Sequence, residues 1–160
     1  MTHRMATAED LDAIYGLYME KSSNPYLTYD PMPRDAFSKI YKKLVDTNTI
    51  FVVETADFVI STYRLIPKTD RQSHTYYLGS FTIRIDQQGK GLGMQVLNHI
   101  KAYALGQQKS RIELTVDVSN TAAIALYKKA GFFIEGVVRN SYRRSDTNEF
   151  YDEYLMGLLL

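Results

Sequence analysis

The sequence predicts an α/β fold organised as one domain over residues 1–160. With 160 residues and 45% hydrophobic content, the chain is long enough for one core and too short for two. Stretches with apolar residues at helical spacing alternate with runs rich in β-branched and aromatic residues. No internal repeat and no linker-like segment interrupts that alternation.

The elements follow in order. After a short N-terminal strand, Thr7-Ala8-Glu9-Asp10 has the form of a capped helix start, and Leu11, Ile14, Tyr15 and Tyr18 then recur on one helical face. "SSNPYLTYDPMP", with three prolines, is an ordered loop, and Pro33 suits the first turn of a second helix carrying Phe37, Ile40, Tyr41 and Leu44. "TIFVVET", "FVISTYRLI" and "TYYLGSFTIRI" are three consecutive strands, the first two joined by a two-residue turn at Ala56-Asp57. Leu92, Val96, Leu97, Ile100 and Ala104 mark a third helix that ends near Gly106. "RIELTV" is a strand; Ser119 or Asn120 caps a short helix with Ala123, Leu126, Tyr127 and Ala130, and Gly131 ends it. "FFIEGVV" and "EFYDEYLMGLLL" close the chain as two strands around a polar loop, "RNSYRRSDTN".

Composition narrows the function. The net charge is +1 and no Lys/Arg run exceeds two, so there is no footprint for nucleic acid. Absence of cysteine removes thiolate nucleophiles, disulfides and Cys-based zinc sites, and the three histidines show no metal-ligand spacing, so no metal is expected. The N-terminus lacks a signal-like apolar region and no segment approaches the roughly 20 apolar residues of a membrane span. The expected setting is cytoplasmic, without a membrane partner.

The most informative segment is "QGKGLG", residues 88–93, between a strand and a helix. A strand entering a glycine-rich turn that opens a helix suits phosphate binding, because unpaired backbone N–H groups and the helix dipole face the anion. A Walker loop would need Lys-Ser or Lys-Thr after the last glycine, where Met94-Gln95 stands. A dinucleotide loop keeps some appeal because Asp117 ends the next strand, but the spacing is Gly-x-Gly-x-Gly and only 43 residues follow Asp117. The pyrophosphate of coenzyme A is the third candidate.

Here the sequence resembles the GCN5-related N-acetyltransferase family. Gln88-Gly89-Lys90-Gly91-Leu92-Gly93 is similar to the family's Arg/Gln-x-x-Gly-x-Gly/Ala signature, and Asn120, Ala123, Leu126, Tyr127, Gly131 and Phe132 resemble its second block in order and spacing. "RMATAEDLDAIYGLY" and "EYLMGLLL" resemble the family's ends, so the likeness spans the chain; "LYKKAGF", "IEG" and "DEYLM" look most like the branch acting on amino acids and small amines. The resemblance implies a mixed, mostly antiparallel sheet of about seven strands with about four helices, splayed between the fourth and fifth strands. It also implies acetyl-CoA as co-substrate.

By that resemblance, main-chain groups of Phe81, Thr82 and Ile83 pair with pantetheine, and Gln88, Gly89, Lys90, Gly91, Leu92, Gly93 and Met94 form the pyrophosphate loop. Asn120 bonds pantetheine or caps its helix. Tyr127 is the general acid for the leaving thiolate, against the plainer role of a core tyrosine. Where some members carry a Glu five residues before the motif Asn, this chain has Thr115, which leaves Glu113 on the same strand face as the base or as a surface carboxylate.

Without an evident base, an α-amine of pKa near 8 is an easier acceptor than a lysine amine, whose neutralisation at pH 7 costs about 3 kcal/mol more. The expected acceptor site combines Tyr26 and Tyr29 with Tyr142, Arg143 and Arg144, where an Arg can hold a carboxylate. The reading is an N-acetyltransferase acting on a small-molecule amine, with a homodimer among the expected partners. Acetylation of a protein N-terminus or lysine, and acyl-CoA sensing without turnover, are the alternatives.

Overall fold

The computed structural model describes residues 1–56 and 58–160. Asp57, half of the expected two-residue turn, lies outside them. The strands are β1 (Thr2–Met5), β2 (Ile50–Glu54), β3 (Val59–Pro67), β4 (Thr75–Ile83), β5 (Arg111–Asp117), β6 (Phe133–Arg143) and β7 (Phe150–Leu159); the helices are α1 (Leu11–Tyr18), α2 (Arg34–Asp46), α3 (Leu92–Gly106) and α4 (Thr121–Lys129). The sheet order is β1-β2-β3-β4-β5-β7-β6. β1–β2, β2–β3, β5–β7 and β6–β7 pair antiparallel, whereas β4–β5 pair parallel. The mixed sheet of seven strands with four helices is the architecture expected from the sequence.

The chain forms two compact units, Met1–Leu65 with Ser80–Leu92, and Ile66–Gly79 with Gly93–Leu160. In the first, Ile14 and Tyr18 of α1 and Phe37 and Tyr41 of α2 share a buried cluster with Ile50 and Val52 of β2. Each such side chain contributes about 1.5–3 kcal/mol by leaving water. The expected capping box at Thr7–Asp10 is present, on the short turn Ala8–Asp10 that leads into α1. The Asp10 carboxylate reaches back to accept the Thr7 backbone N–H at 2.8 Å while Arg4 grips both its oxygens at 2.8 Å. β4 departs from extended geometry at Ser80, a non-glycine residue with φ 49°, whose hydroxyl lies 3.0 Å from that of Thr28 in the α1–α2 loop.

In the second unit, Val96, Leu97, Ile100 and Ala104 of α3 are buried, as are Ile112, Leu114 and Val116 of β5 and Met156 and Leu158 of β7. α3 ends at Gly106, as expected, and the turn after it carries Gln108 at φ 57° and the Lys109 N–H bonded to Ala104 O. On α4 the buried stripe is Ile124, Tyr127 and the following Ala130, with Ala123 and Leu126 half-buried beside it. The whole first half of "RNSYRRSDTN" is strand: β6 runs on through Arg143, with irregular register between Val138 and Tyr142, so Tyr142 and Arg143 project from a strand end and not from a loop.

Candidate active site

In the first unit, β4 leads into the glycine loop. Arg84 N–H donates to Ile60 O at 2.8 Å, and Thr82 O accepts the Ser61 hydroxyl at 2.7 Å, so the main chain of Thr82 and Arg84 faces β3. Backbone groups alternate along a strand, which turns those of Phe81 and Ile83 away from β3. The expected three-residue edge therefore reduces to Phe81 and Ile83. Gln88 ties the loop to this strand, Nε2 to Ile83 O at 2.8 Å, and Lys90 reaches Gln87 Oε1 at 3.3 Å.

Gly89 and Gly91 have φ of 73° and 78°, the left-handed region that favours glycine. A Cβ at either would meet nothing within 4 Å, so the demand for glycine here is conformational and the space before the loop is open. The backbone N–H groups of Gly89, Lys90 and Gly91 find no acceptor among the described residues. Successive free N–H groups in such a turn form an anion-binding concavity, and α3 begins at Leu92, adding the positive end of its dipole. The loop thus fits the pyrophosphate of coenzyme A. Gly93 and Met94 lie in the first turn of α3.

Tyr18 and Tyr29 stack in the same unit, ring centroids 6.1 Å apart, with Tyr29 edge-on to Phe37. Tyr26 is 43% exposed on the turn Asn24–Tyr26.

In the second unit, the β4–β5 ladder covers Thr75–Tyr77 against Arg111–Glu113, and both strands continue past it. Just beyond the ladder, the Tyr77 hydroxyl and Thr115 Oγ1 share a hydrogen bond of 2.8 Å. Tyr127 is 7% exposed, its ring edge-on to Phe132 at 5.7 Å. Its hydroxyl has no hydrogen-bond partner among the described residues, and burial, with a smaller contribution from Tyr77, pushes its pKa well above the ordinary phenol value. A protonated, unpaired hydroxyl on a buried ring is a donor held ready for a developing anion.

Asn120 caps α4, Oδ1 accepting the Ala123 N–H at 3.2 Å, and Ser119 is engaged instead with the Asp117 carboxylate. The cap uses only the Asn120 oxygen, so its amide N–H₂ stays available to a ligand. Glu113 is not a surface carboxylate. Its side chain is 13% exposed and ion-paired with Lys68, and Arg111 Nε lies 3.5 Å from its other oxygen.

Tyr142 donates to the buried Asp117 carboxylate and stacks on Tyr151 at 5.5 Å; burial first, then this bond, raises its pKa. Arg143 is exposed, bonded to the carbonyl and side-chain oxygens of Asn148 and placed over the Phe150 ring at 5.5 Å. Arg144 pairs with Asp146. Asp117, weighed in the sequence only as the acid of a dinucleotide site, instead joins Ser119 and Tyr142, partners 2 and 25 residues away. Among the described residues no group of His, Cys, Asp and Glu could hold a metal ion, and no helix is long and apolar enough to cross a membrane.

Residues 11–132 match the model of the acetyltransferase (GNAT) family. The solved structure of spermidine N-acetyltransferase from Vibrio cholerae, in complex with CoA and spermine, is 26% identical with a TM-score of 0.83, covering 99% of this chain and 94% of that one. A ribosomal-protein-alanine N-acetyltransferase from Brucella melitensis shares the fold at 19% identity and TM-score 0.80, covering 100% of both chains. So does a putative acetyltransferase from Salmonella typhimurium with its cofactor acetyl-CoA, at 21% identity and TM-score 0.78, covering 100% of this chain and 94% of that one.

Proposed function

Because the chain belongs to the acetyltransferase (GNAT) family, we propose that it transfers the acetyl group of acetyl-CoA directly to the α-amine of an amino acid or a similar small molecule. Residues 1–160 act as one acetyltransferase domain. The observation that carries this reading is Tyr127, a buried residue whose hydroxyl is kept protonated and has no partner among the described residues.

Acetyl-CoA supplies a thioester whose acyl carbon is open to attack. The free N–H groups of Gly89, Lys90 and Gly91 bind its pyrophosphate, the main chain of Phe81 and Ile83 pairs with pantetheine, and the Asn120 amide adds a donor. The neutral amine forms the new C–N bond, the C–S bond breaks, and Tyr127 gives its proton to the departing sulfur. The surplus proton of the amine leaves through solvent and restores Tyr127. No side chain need be acylated, in keeping with a chain that has no cysteine.

Glu113 is poorly placed to act as base, because Lys68 and Arg111 already engage its two oxygens. The acceptor then enters as the free base, which favours a weakly basic α-amine over a lysine ε-amine at neutral pH. A free amino acid carries a more basic amine than a peptide N-terminus, so its preference over peptides rests on recognition of its carboxylate. Tyr26 and Tyr29 supply aromatic walls of the acceptor site.

The test is calorimetric titration with acetyl-CoA and with NAD, followed by a thiol-release assay over free amino acids, N-terminal peptides and α-blocked lysine peptides. Binding of acetyl-CoA alone with fastest turnover of free amino acids supports the proposal. Binding without turnover on any amine would favour the sensor reading, and faster turnover of peptides would favour a protein acceptor.

A further inference from the structure

Two polar groups in the first unit are buried without partners. Tyr18, the last residue of α1, is 0% exposed and its hydroxyl makes no hydrogen bond. On β3, the Nε of Arg64 is likewise buried and unpaired, and the guanidinium makes a single bond, Nη2 to Thr49 Oγ1 at 3.2 Å. The ion pairs of this unit join Arg4 to Asp10 and Glu54, Arg34 to Asp12 and Arg84 to Asp86, so Arg64 has no carboxylate among the described residues. Its charge nonetheless reaches the Tyr18 hydroxyl, where it opposes the effect of burial that pushes that group up to about 12. Ser80 lies against the same hydroxyl without hydrogen-bonding geometry and engages Thr28 instead.

Buried donors without acceptors are rare in folded proteins. Two such donors within each other's field, one of them on an arginine, are matched by a group that only accepts and carries negative charge. Ser80 directly precedes Phe81, so this corner adjoins the strand segment assigned above to pantetheine.

We propose that Tyr18 and Arg64 form the carboxylate subsite of the acceptor, so that the preferred substrate is an amino acid with a free carboxylate and not a polyamine. The inference rests on the α-amine reading above and moves the carboxylate contact from Arg143, whose guanidinium is occupied by Asn148. The carboxylate enters past the exposed Thr28–Ser80 hydroxyl pair. A spermidine-like acceptor would instead bring cations against Arg64.

The test compares alanine, alaninamide and spermidine with the wild type, Tyr18→Phe and Arg64→Met. In the wild type, kcat/KM for alanine exceeds that for alaninamide at least tenfold at pH 7, although the amide carries the less basic amine. Each substitution raises KM for alanine roughly tenfold to a hundredfold, leaving alaninamide turnover and acetyl-CoA affinity unchanged. Tyr18→Phe removes no internal bond and should melt at or above the wild-type temperature. Equal use of acid and amide by the wild type, equal loss of both in the variants, preference for spermidine, or a lowered melting temperature of Tyr18→Phe would each overturn the subsite; the last would place a structural water there. Calorimetric binding of alanine in the presence of CoA separates the two claims. Alanine binding that is lost in Tyr18→Phe upholds the subsite even if no acetyl transfer occurs, in which case the acetyl-transfer reading fails alone. No alanine binding to the wild type overturns the subsite whichever amine is acetylated.

Discussion

Replacing Tyr127 by phenylalanine removes one oxygen and leaves the ring against Phe132. The hydroxyl has no protein partner, so the substitution breaks no internal hydrogen bond, and stability should stay within about 0.5 kcal/mol of wild type. For a chain of this size that is under about 2 °C in Tm. A general acid contributes about 10²- to 10⁴-fold to rate, or about 2.7–5.4 kcal/mol of barrier at 1.36 kcal/mol per decade. The expected result is therefore a kcat loss of 10²-fold or more with unchanged acetyl-CoA affinity, read by thiol release at saturating acetyl-CoA and by calorimetry. The pH profile gives a second check. An acid must keep its proton, and burial raises Tyr127 above the usual phenol value near 10, so the wild-type rate should not fall on the alkaline side up to pH 9. Unchanged kcat with a clear drop in Tm would show that Tyr127 is only a core residue.

Gly91→Val places a β-branched residue at φ 78° and fills the open space before the loop, so the protein should fold slightly less stably and bind acetyl-CoA well over tenfold more weakly; unchanged affinity would exclude the loop as the site. Glu113→Gln breaks the pairing with Lys68 and Arg111, so Tm should fall while the log of the rate still rises about one unit per pH unit below the acceptor's pKa; a rate loss of 10²-fold or more would restore Glu113 as the base. Asp10→Asn weakens the Arg4 grip and should cost about 1.5–3 kcal/mol in a urea melt at pH 7. Hydrogen bonds from Arg4, above all, hold the Asp10 carboxyl below its ordinary value, so its contribution is present above about pH 4 and is lost as pH falls, and the variant and wild type should converge in acid. Tyr18, Tyr41, Tyr127 and Tyr142 are shifted the other way, chiefly by burial, so their contribution is complete below about pH 10 and is lost as pH rises beyond it, which alkaline melts should show.

The order of all eleven strands and helices was legible because each stripe and run is local. The glycine loop was legible for a related reason: Gly89 and Gly91 mark left-handed backbone that few other residues adopt. The same logic failed at Ser80, where a left-handed residue stands in β4 without glycine to announce it. It failed again at β6, because polar residues 139–143 lie on an exposed strand whose pairing with β7 is set by a distant partner. Side-chain partnerships were the least accessible. Glu113 meets Lys68 across 45 residues, and Tyr18 and Arg64 are separated by 46, distances at which no sequence pattern signals contact. Asn120 illustrates a middle case, since its cap was readable from the helix start while its free amide needed the geometry.

The central claim, direct acetylation of a free α-amine by acetyl-CoA, meets its most direct test in one competition assay at pH 7. Equimolar alanine, an N-terminal alanyl peptide, an α-blocked lysine peptide and spermidine are offered together with limiting acetyl-CoA, and the acetylated products are counted by mass. The account predicts that acetylalanine dominates. A dominant product from spermidine or from the blocked lysine peptide would contradict it, because either would require a site that deprotonates or attracts a strongly basic amine.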